Sequence, residues 1–431
     1  MSIEDKMTIN ERRKYLHKIQ KRYREADRKA KGRLLDEMEQ VTELDRKYLI
    51  ALLGSNLKRK ARRRQRGRTY GPEVDDALRV IDESFDYICP ERLTPNLVWM
   101  AEHLAQHGEV EISRELLEKL GHISISTVKR ILRRIRQDQP RLPRKRPRRA
   151  NKLVRDIPMR RIPWDTSTPG HFEVDLVHHS GPTTYGEYMC TLQIIDIATG
   201  WSERVAVLGR SYRVMQHAFR LILRRLPFPV REIHPDNGNE FLNYHMLRFW
   251  GETVQGITLS RSRPFHKNDN CHVEQKNATL VRAYLGDDRL DSVAQTLVAN
   301  QLLEQMWIYY NLFQPVMHLQ EKQLIPQNGH SPRIRRRYDE ARTPFDRLCA
   351  TDAILPEHRK QLETLRDQIN PRLFRRQIYA TIDHLFSLPG ATPEVVEDIH
   401  ETLVAPSLSG APGRSLLDFA FNRTPVPEGA S

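Results

Sequence analysis

Cysteine is scarce in this 431-residue chain. Cys89, Cys190, Cys271 and Cys349 are widely spaced and form no framework, which excludes a disulfide-stapled secreted scaffold and fits a reducing compartment. No run of roughly twenty apolar residues occurs, so no membrane-spanning helix is expected. The opening Met1-Ser-Ile-Glu-Asp-Lys has no signal-peptide pattern. His103 and His107 stand at helical spacing with no Cys-x-x-Cys after them, so no zinc module is expected there. Apolar residues make up 39% of the chain, fewer than a single compact globule usually carries, and the length favours several domains with polar linkers. Acidic charge is in deficit too: 55 Asp plus Glu face 70 Lys plus Arg, a formal net charge of +15. Such an excess favours a polyanionic partner, although ribosomal or membrane-surface binding would give the same balance.

Within this basic chain three acids stand in distinctive settings: Asp175 in His171-Phe-Glu-Val-Asp-Leu, Asp236 in His234-Pro-Asp-Asn-Gly-Asn-Glu240, and Glu274 in Asn268-Asp-Asn-Cys-His-Val-Glu-Gln-Lys-Asn277. Most acids in any chain are solvated surface groups. Asp175 differs because it lies among Phe172, Val174, Leu176 and Val177, where an unpaired charge would be costly. Two hydrophobic segments that each end in a carboxylate, followed by a polar loop running into a helix with a third, suit a two-metal phosphoryl-transfer site. Carboxylates packed that closely repel one another unless cations are present, and hard oxygen ligands select Mg2+ or Mn2+ over zinc. Cys271 lies three residues before Glu274; packing accounts for it without a catalytic thiol.

The stretch 163–286 resembles the catalytic core of the retroviral-integrase-like DDE transposases of bacterial insertion sequences. The resemblance rests on Phe172-Glu-Val-Asp175, Ile195-Asp-Ile-Ala-Thr-Gly-Trp-Ser-Glu203, Pro235-Asp-Asn-Gly-Asn-Glu-Phe241 and Glu274-Gln-Lys-Asn277, in this order, with 37 residues between Asp236 and Glu274. It implies an α/β ribonuclease-H-like core and a catalytic, metal-binding triad of Asp175, Asp236 and Glu274. It also implies two Mg2+ ions per site with Mn2+ able to substitute, and Asn277 and Asn237 as supporting polar residues. The implied partner is double-stranded DNA, both transposon ends and target, bound by a homo-oligomer of at least two chains in the bacterial cytoplasm, associated with the nucleoid. One departure is Pro264-Phe-His-Lys-Asn-Asp-Asn270, where many such proteins carry a small-residue, glycine-containing loop.

The segments before the core read as all-α and basic. In 1–70, Tyr15, Ile19 and Tyr23 form a thin stripe, then Leu34, Leu35, Met38 and Val41 lead to Thr42, a candidate cap for a helix bearing Leu44, Tyr48, Leu49, Leu52 and Leu53. This is a helix-turn-helix pattern, and an ordinary helical hairpin would share it. The run 58–68 has eight basic residues in eleven, Arg62, Arg63, Arg64 and Arg66 among them; it suits an arm that neutralises phosphates. In 71–137, Leu116, Leu117 and Leu120 share a face, Gly121 breaks the helix, Ser124 or Ser126 can cap, and Val128, Ile131, Leu132 and Ile135 bury the next face. Lys129, Arg130, Arg133 and Arg134 are left exposed, so a second helix-turn-helix is expected with its recognition helix near 126–136. Residues 138–162, with Arg144, Lys145 and Arg146, are rich in proline and arginine and read as an extended basic linker.

Within the core, 163–290, strands are expected near 171–177, 188–196 and 202–207. A helix over 212–225 follows, then a strand leading to Asp236, a helix over 240–250 and another from about 271. Asp196 reads as a hairpin-turn former rather than a ligand. His178 and His179 follow the first strand closely enough to approach a phosphate, with packing or water contact as their simpler role. No second motif assigns Glu173 to the site. Arg261, Arg263 and Lys267 suit phosphate contacts beside the chemistry. In 291–350 a helix rich in aromatics is expected to pack on the core, followed by the basic cluster Arg333-Ile-Arg-Arg-Arg337; the resemblance implies a small β-rich module in this region, for which the residues themselves give weak strand signals. The region 351–431 reads as helical with a mobile tail. The whole pattern suggests a transposase that cleaves and joins DNA; a catalytically silent DNA-binding regulator and a nuclease or junction resolvase of the same fold are the alternatives.

Overall fold

The computed structural model describes residues 7–55, 69–135, 167–235, 240–241, 244–253, 256–260, 270–327, 330–392 and 395–403. The basic arm with Arg62, Arg63, Arg64 and Arg66, the linker with Arg144, Lys145 and Arg146, Asp236 and Asn237, Arg261, Arg263 and Lys267, and the tail after 403 lie outside the described residues. The chain divides into two compact units, Met1–Thr69 and Tyr70–Ser431.

The first unit is three helices, α1 (Ile9–Glu25), α2 (Arg28–Thr42) and α3 (Arg46–Gly54). Their starts follow local chemistry: Thr8 and Glu11 form a reciprocal capping box, and Asp27 accepts from the Ala30 nitrogen. Leu16, Leu34, Leu35, Met38, Leu49 and Leu53 are buried together. Thr42 does not cap the next helix as expected. Its Oγ1 donates to the Met38 carbonyl at 2.6 Å, because α2 runs through it and ends at Glu43, which takes the left-handed conformation at φ 54°. The cap of α3 falls on Asp45, which accepts from the Lys47 and Tyr48 nitrogens.

The second unit opens with α4 (Pro72–Ser84), α5 (Pro90–Leu93), α6 (Leu97–Gln106), α7 (Arg114–His122) and α8 (Ile125–Ile135). Two residues join α7 to α8. The latter buries Val128, Ile131, Leu132 and Ile135 at helical spacing, each worth about 1.5–3 kcal/mol over exposure. These helices share one hydrophobic core with the rest of the unit, from Val74 in α4 to Leu385 near the end of the described chain. His103 is buried on α6 with its Nε2 against the Ile369 carbonyl at 2.8 Å, and its packing explains it without a metal.

A five-stranded mixed sheet follows, made of β1 (His171–His178), β2 (Met189–Asp196), β3 (Ser202–Leu208), β4 (Glu232–Pro235) and β5 (Thr258–Leu259), in the order β3-β2-β1-β4-β5. The first three strands form an antiparallel meander, and β4 and β5 add in parallel to β1. Between β3 and β4 runs α9 (Tyr212–Arg225), and between β4 and β5 runs α10 (Tyr244–Thr253), where a helix over 240–250 is expected. Then come α11 (Cys271–Lys276), a π-helical turn at Asn277–Arg282, α12 (Ala283–Leu285) and the long α13 (Val293–Phe313). This sheet with its helices fits the ribonuclease-H-like core that the resemblance implies.

The edge of β3 is closed by side chains. Asn300 of α13 accepts from the Ala206 nitrogen at 2.9 Å and donates to the Ala206 carbonyl at 2.8 Å, and Asn311 does the same for Ser202 at 3.0 Å on both bonds. Two amides thus stand in for a neighbouring strand at Ser202 and Ala206. Trp307, Tyr309 and Tyr310 on the same helix are buried, the core role expected for them.

After α13 the chain forms a separate hairpin, β6 (Leu319–Gln327) with β7 (His330–Tyr338), a region whose strand signals are weak. It ends in α14 (Pro344–Cys349), α15 (Pro356–Gln368) and α16 (Pro371–Ser387). Arg372 of α16 bonds Glu83 and Glu109, while Arg375 bonds Asp86. These part-buried ion pairs fasten the helices before the sheet to those after it.

Candidate active site

The central strand β1 presents side chains with a period of two, so Glu173 and Asp175 emerge on one face while Phe172, Val174 and Leu176 enter the hydrophobic core. The helix α11 lies across that face. Its N-cap residue, Asn270, makes no side-chain cap. The Glu173 carboxylate supplies the acceptor instead, taking the Val273 nitrogen at 2.8 Å and the His272 nitrogen as well. A strand residue a hundred positions away in sequence therefore caps the helix that carries Glu274.

One turn beyond Glu274, Asn277 reaches back to the strand. Its Nδ2 donates to Asp175 Oδ2 at 2.5 Å, and Asp175 Oδ1 accepts from the Leu176 nitrogen at 2.8 Å. The helix turns π-helical at Asn277, a widening found frequently at functional sites. Asp175 and Glu274 then share an open pocket of about 240 Å3 with Leu176, Val177, Asn277 and Arg282. Arg282 sits at this pocket's wall with its Nη1 on Asp287 at 2.8 Å. The sequence reading missed both Glu173 and Arg282. Strand alternation was the signal for the first, since a residue two before Asp175 shares its face; Arg282, eight past Glu274, had the weaker signal of a helical face interrupted by the π turn.

The site is electronegative. Burial pushes the Glu173 carboxyl up to about 8, and the charges of Glu274 and Asp175 push it the same way against the two backbone donors. Glu173 Oε1 and Asn277 Oδ1 are buried with no hydrogen-bond partner. An all-oxygen donor set with surplus negative charge fits a hard divalent cation. Among the described residues no three His, Cys, Asp or Glu side chains group as a metal site. Asp236 lies outside them, directly after β4, whose last residue, Pro235, pairs with Val174 next to Asp175.

Other candidates resolve differently. Asp196 is fully buried, accepting from the Gly170 nitrogen at 2.7 Å and from both the nitrogen and hydroxyl of Thr199; it builds the turn after β2. His179 is buried with its Nε2 on Thr191 Oγ1 at 2.9 Å, and desolvation holds its pKa down at about 3. His178 lies beside Tyr188 and Cys190. Both histidines have packing roles. On α8, Lys129, Arg130, Arg133 and Arg134 are all exposed on one side, and Arg134 is paired with Asp75 at 2.5 Å.

No family model matches the chain. Among solved structures, it is similar to the catalytic core domain of BIV integrase, at 16% identity and a TM-score of 0.25 over 33% of this chain and 83% of that one. It is also similar to the simian T-cell lymphotropic virus intasome in complex with the PP2A regulatory subunit B56 gamma, at 14% identity and a TM-score of 0.28 over 51% and 72%. A relative in Sinorhizobium fredii (strain NBRC 101917 / NGR234), the uncharacterized protein y4rM, is 34% identical over 343 residues, covering 79% of this chain and 96% of that protein. At that identity and coverage, the chain belongs to the same family as y4rM.

Proposed function

We propose that this protein is a DDE-type transposase that binds the terminal inverted repeats of its element, cleaves the DNA there and joins the freed ends to target DNA. The observation that carries the reading is the convergence of Asp175 and Glu274 in one pocket, held by the Asn277 and Glu173 bonds across β1 and α11. Asp236 is the proposed third acid, with Asn237 beside it. Two ions of the Mg2+ or Mn2+ class, held by these carboxylates, would activate the attacking oxygen and stabilise the leaving one.

The chain's own residues do the rest. Asn277 fixes one Asp175 oxygen, so the other carboxylate positions are set before DNA arrives. Arg282 offers a cation at the pocket wall for a phosphate oxygen. Water attacks phosphorus at the element's end, breaking the bond to the 3′ oxygen and leaving a 3′-hydroxyl; that hydroxyl next attacks a target phosphodiester, releasing the target's own 3′ oxygen, with no covalent protein intermediate. The exposed face of α8, Lys129, Arg130 and Arg133 above all, is the proposed major-groove reader, and the arms at 58–68 and 138–162 and residues Arg261, Arg263 and Lys267 the proposed phosphate contacts. Pairing two ends requires at least a dimer.

The test is nicking of a labelled duplex carrying the element's end in Mg2+ or Mn2+. Asp175→Asn and Glu274→Gln should each abolish nicking while binding the same duplex as tightly as the parent. Nicking at the parental rate by either variant would remove that residue from the reaction.

A further inference from the structure

We propose that the hairpin of β6 and β7 is a DNA-binding ribbon that lies in the major groove of duplex beside the active site. The proposal rests on the reading of DNA as the substrate. Among the described residues the two strands form a sheet of their own with no third strand. Most of their described side chains are exposed, including Leu324 at 65% and Ile325 at 39%. An isolated two-stranded hairpin is marginal in water, and open edges with exposed apolar residues invite a partner.

Charge identifies the partner. The strands carry Lys322, Arg333, Arg335, Arg336 and Arg337 against Glu321 as the one acid. Glu321 stands opposite Arg337 in register but accepts instead from Gln323 at 2.6 Å. Arg335, Arg336 and Arg337 are exposed, and none has a carboxylate partner among the described residues. This charge disfavours the chain's own arginine-rich linker as the occupant and suits phosphates.

Shape agrees. Nine residues per strand span roughly 30 Å, close to one helical turn of duplex, and a major groove about 12 Å wide admits a two-stranded ribbon. Leu324, which shares its face with Arg336 because side chains alternate along a strand, would touch base edges, where thymine methyl groups offer apolar contact, while the arginines reach the phosphates on either side. The base of the hairpin is fixed: Asp339 accepts from the His318 nitrogen at 2.7 Å and is paired with Arg347 at 2.7 Å. Arg336 and Tyr338 also line a cavity of about 1080 Å3 with Lys276 and Tyr310. Lys276 belongs to α11, so DNA on the ribbon passes beside the helix of Glu274.

The experiment compares the full chain with its Arg335→Gln/Arg336→Gln/Arg337→Gln variant for binding a duplex without element ends across a salt series. Loss of three phosphate contacts should flatten the slope of log K against log salt by roughly 2–3 and weaken binding at least about tenfold at low salt, with an unchanged melting temperature. If the triple variant fails to fold, Arg336→Gln alone should lower the slope by about 1. An unchanged slope and affinity, in a parent that binds DNA and forms metal-dependent products, overturns the ribbon and leaves the transposase reading standing. A parent that binds no duplex and forms no products overturns both. Retained DNA binding by the variant with loss of an acidic protein ligand would also overturn it, in favour of a protein partner.

Discussion

Glu173 on β1 accepts the backbone N–H of Val273 on α11 at 2.8 Å, so the strand that carries Asp175 grips the first turn of the helix that carries Glu274. Removing that acceptor leaves a buried N–H without a partner, at a cost of about 1–3 kcal/mol, and frees the helix to shift. Glu173→Ala should lower the rate of end nicking by about 100-fold or more at saturating DNA, with end binding little changed. Glu173→Gln keeps a carbonyl acceptor and should recover most of that loss. Equal defects in the two variants, measured in single turnover, would mean that the charge matters and the bond does not.

Asn277 donates to Asp175 Oδ2 at 2.5 Å. With Asn277→Ala that oxygen loses its orienting donor, and divalent-ion affinity should fall by about 10–100-fold. Calorimetric titration with Mn2+ in the absence of DNA reads this directly, and unaltered affinity would assign Asn277 to packing alone.

Much of this was legible in the sequence, and the limits have physical reasons. The apolar/acidic alternation of Phe172-Glu-Val-Asp-Leu176 and the helical stripe at Val128, Ile131, Leu132 and Ile135 are local signals, so β1 and α8 appear where expected. The shared pocket of Asp175, Glu274 and Asn277 agrees with what the resemblance implies. Strand alternation put Glu173 on the face of Asp175, but nothing local ties it to the site, because its partner is a backbone nitrogen a hundred residues away, a contact that only tertiary structure creates. The amides of Asn300 and Asn311 that close the β3 edge, and the Glu43 turn that moves the α3 cap from Thr42 to Asp45, are of the same kind. The hairpin of β6 and β7 was nearly hidden because Pro326 and Pro332 argue against strands and the arginine run at 335–337 breaks any apolar alternation.

Stability should depend on pH through His179. Burial lowers its folded pKa to about 3, beneath the ordinary value near 6.5, so the unfolded chain binds more protons between those values and stability is lost as pH falls through that window. Replacing it by His179→Gln, which keeps a donor for Thr191, should flatten the decline between about pH 6.5 and 4.5, where the group contributes up to about 1.4 kcal/mol per pH unit. Parallel slopes for parent and variant in urea unfolding would show that His179 is not the group responsible.

Arg133 on α8 is exposed, whereas Arg134 is already paired with Asp75. Arg133→Ala should therefore weaken binding to element ends by about 1–3 kcal/mol, and Arg134→Ala by clearly less. Equal losses, or none for Arg133, measured by competition against unrelated duplex, would place sequence recognition elsewhere.

The most direct measurement incubates the protein with labelled DNA from the ends of its own element and with a target plasmid, in Mg2+ or Mn2+, beside Asp236→Asn. Nicks at the ends followed by joined products, absent from the variant although it still binds the ends, are the result expected of a transposase. Tight end binding with no metal-dependent product, or products that persist in Asp236→Asn, would contradict it.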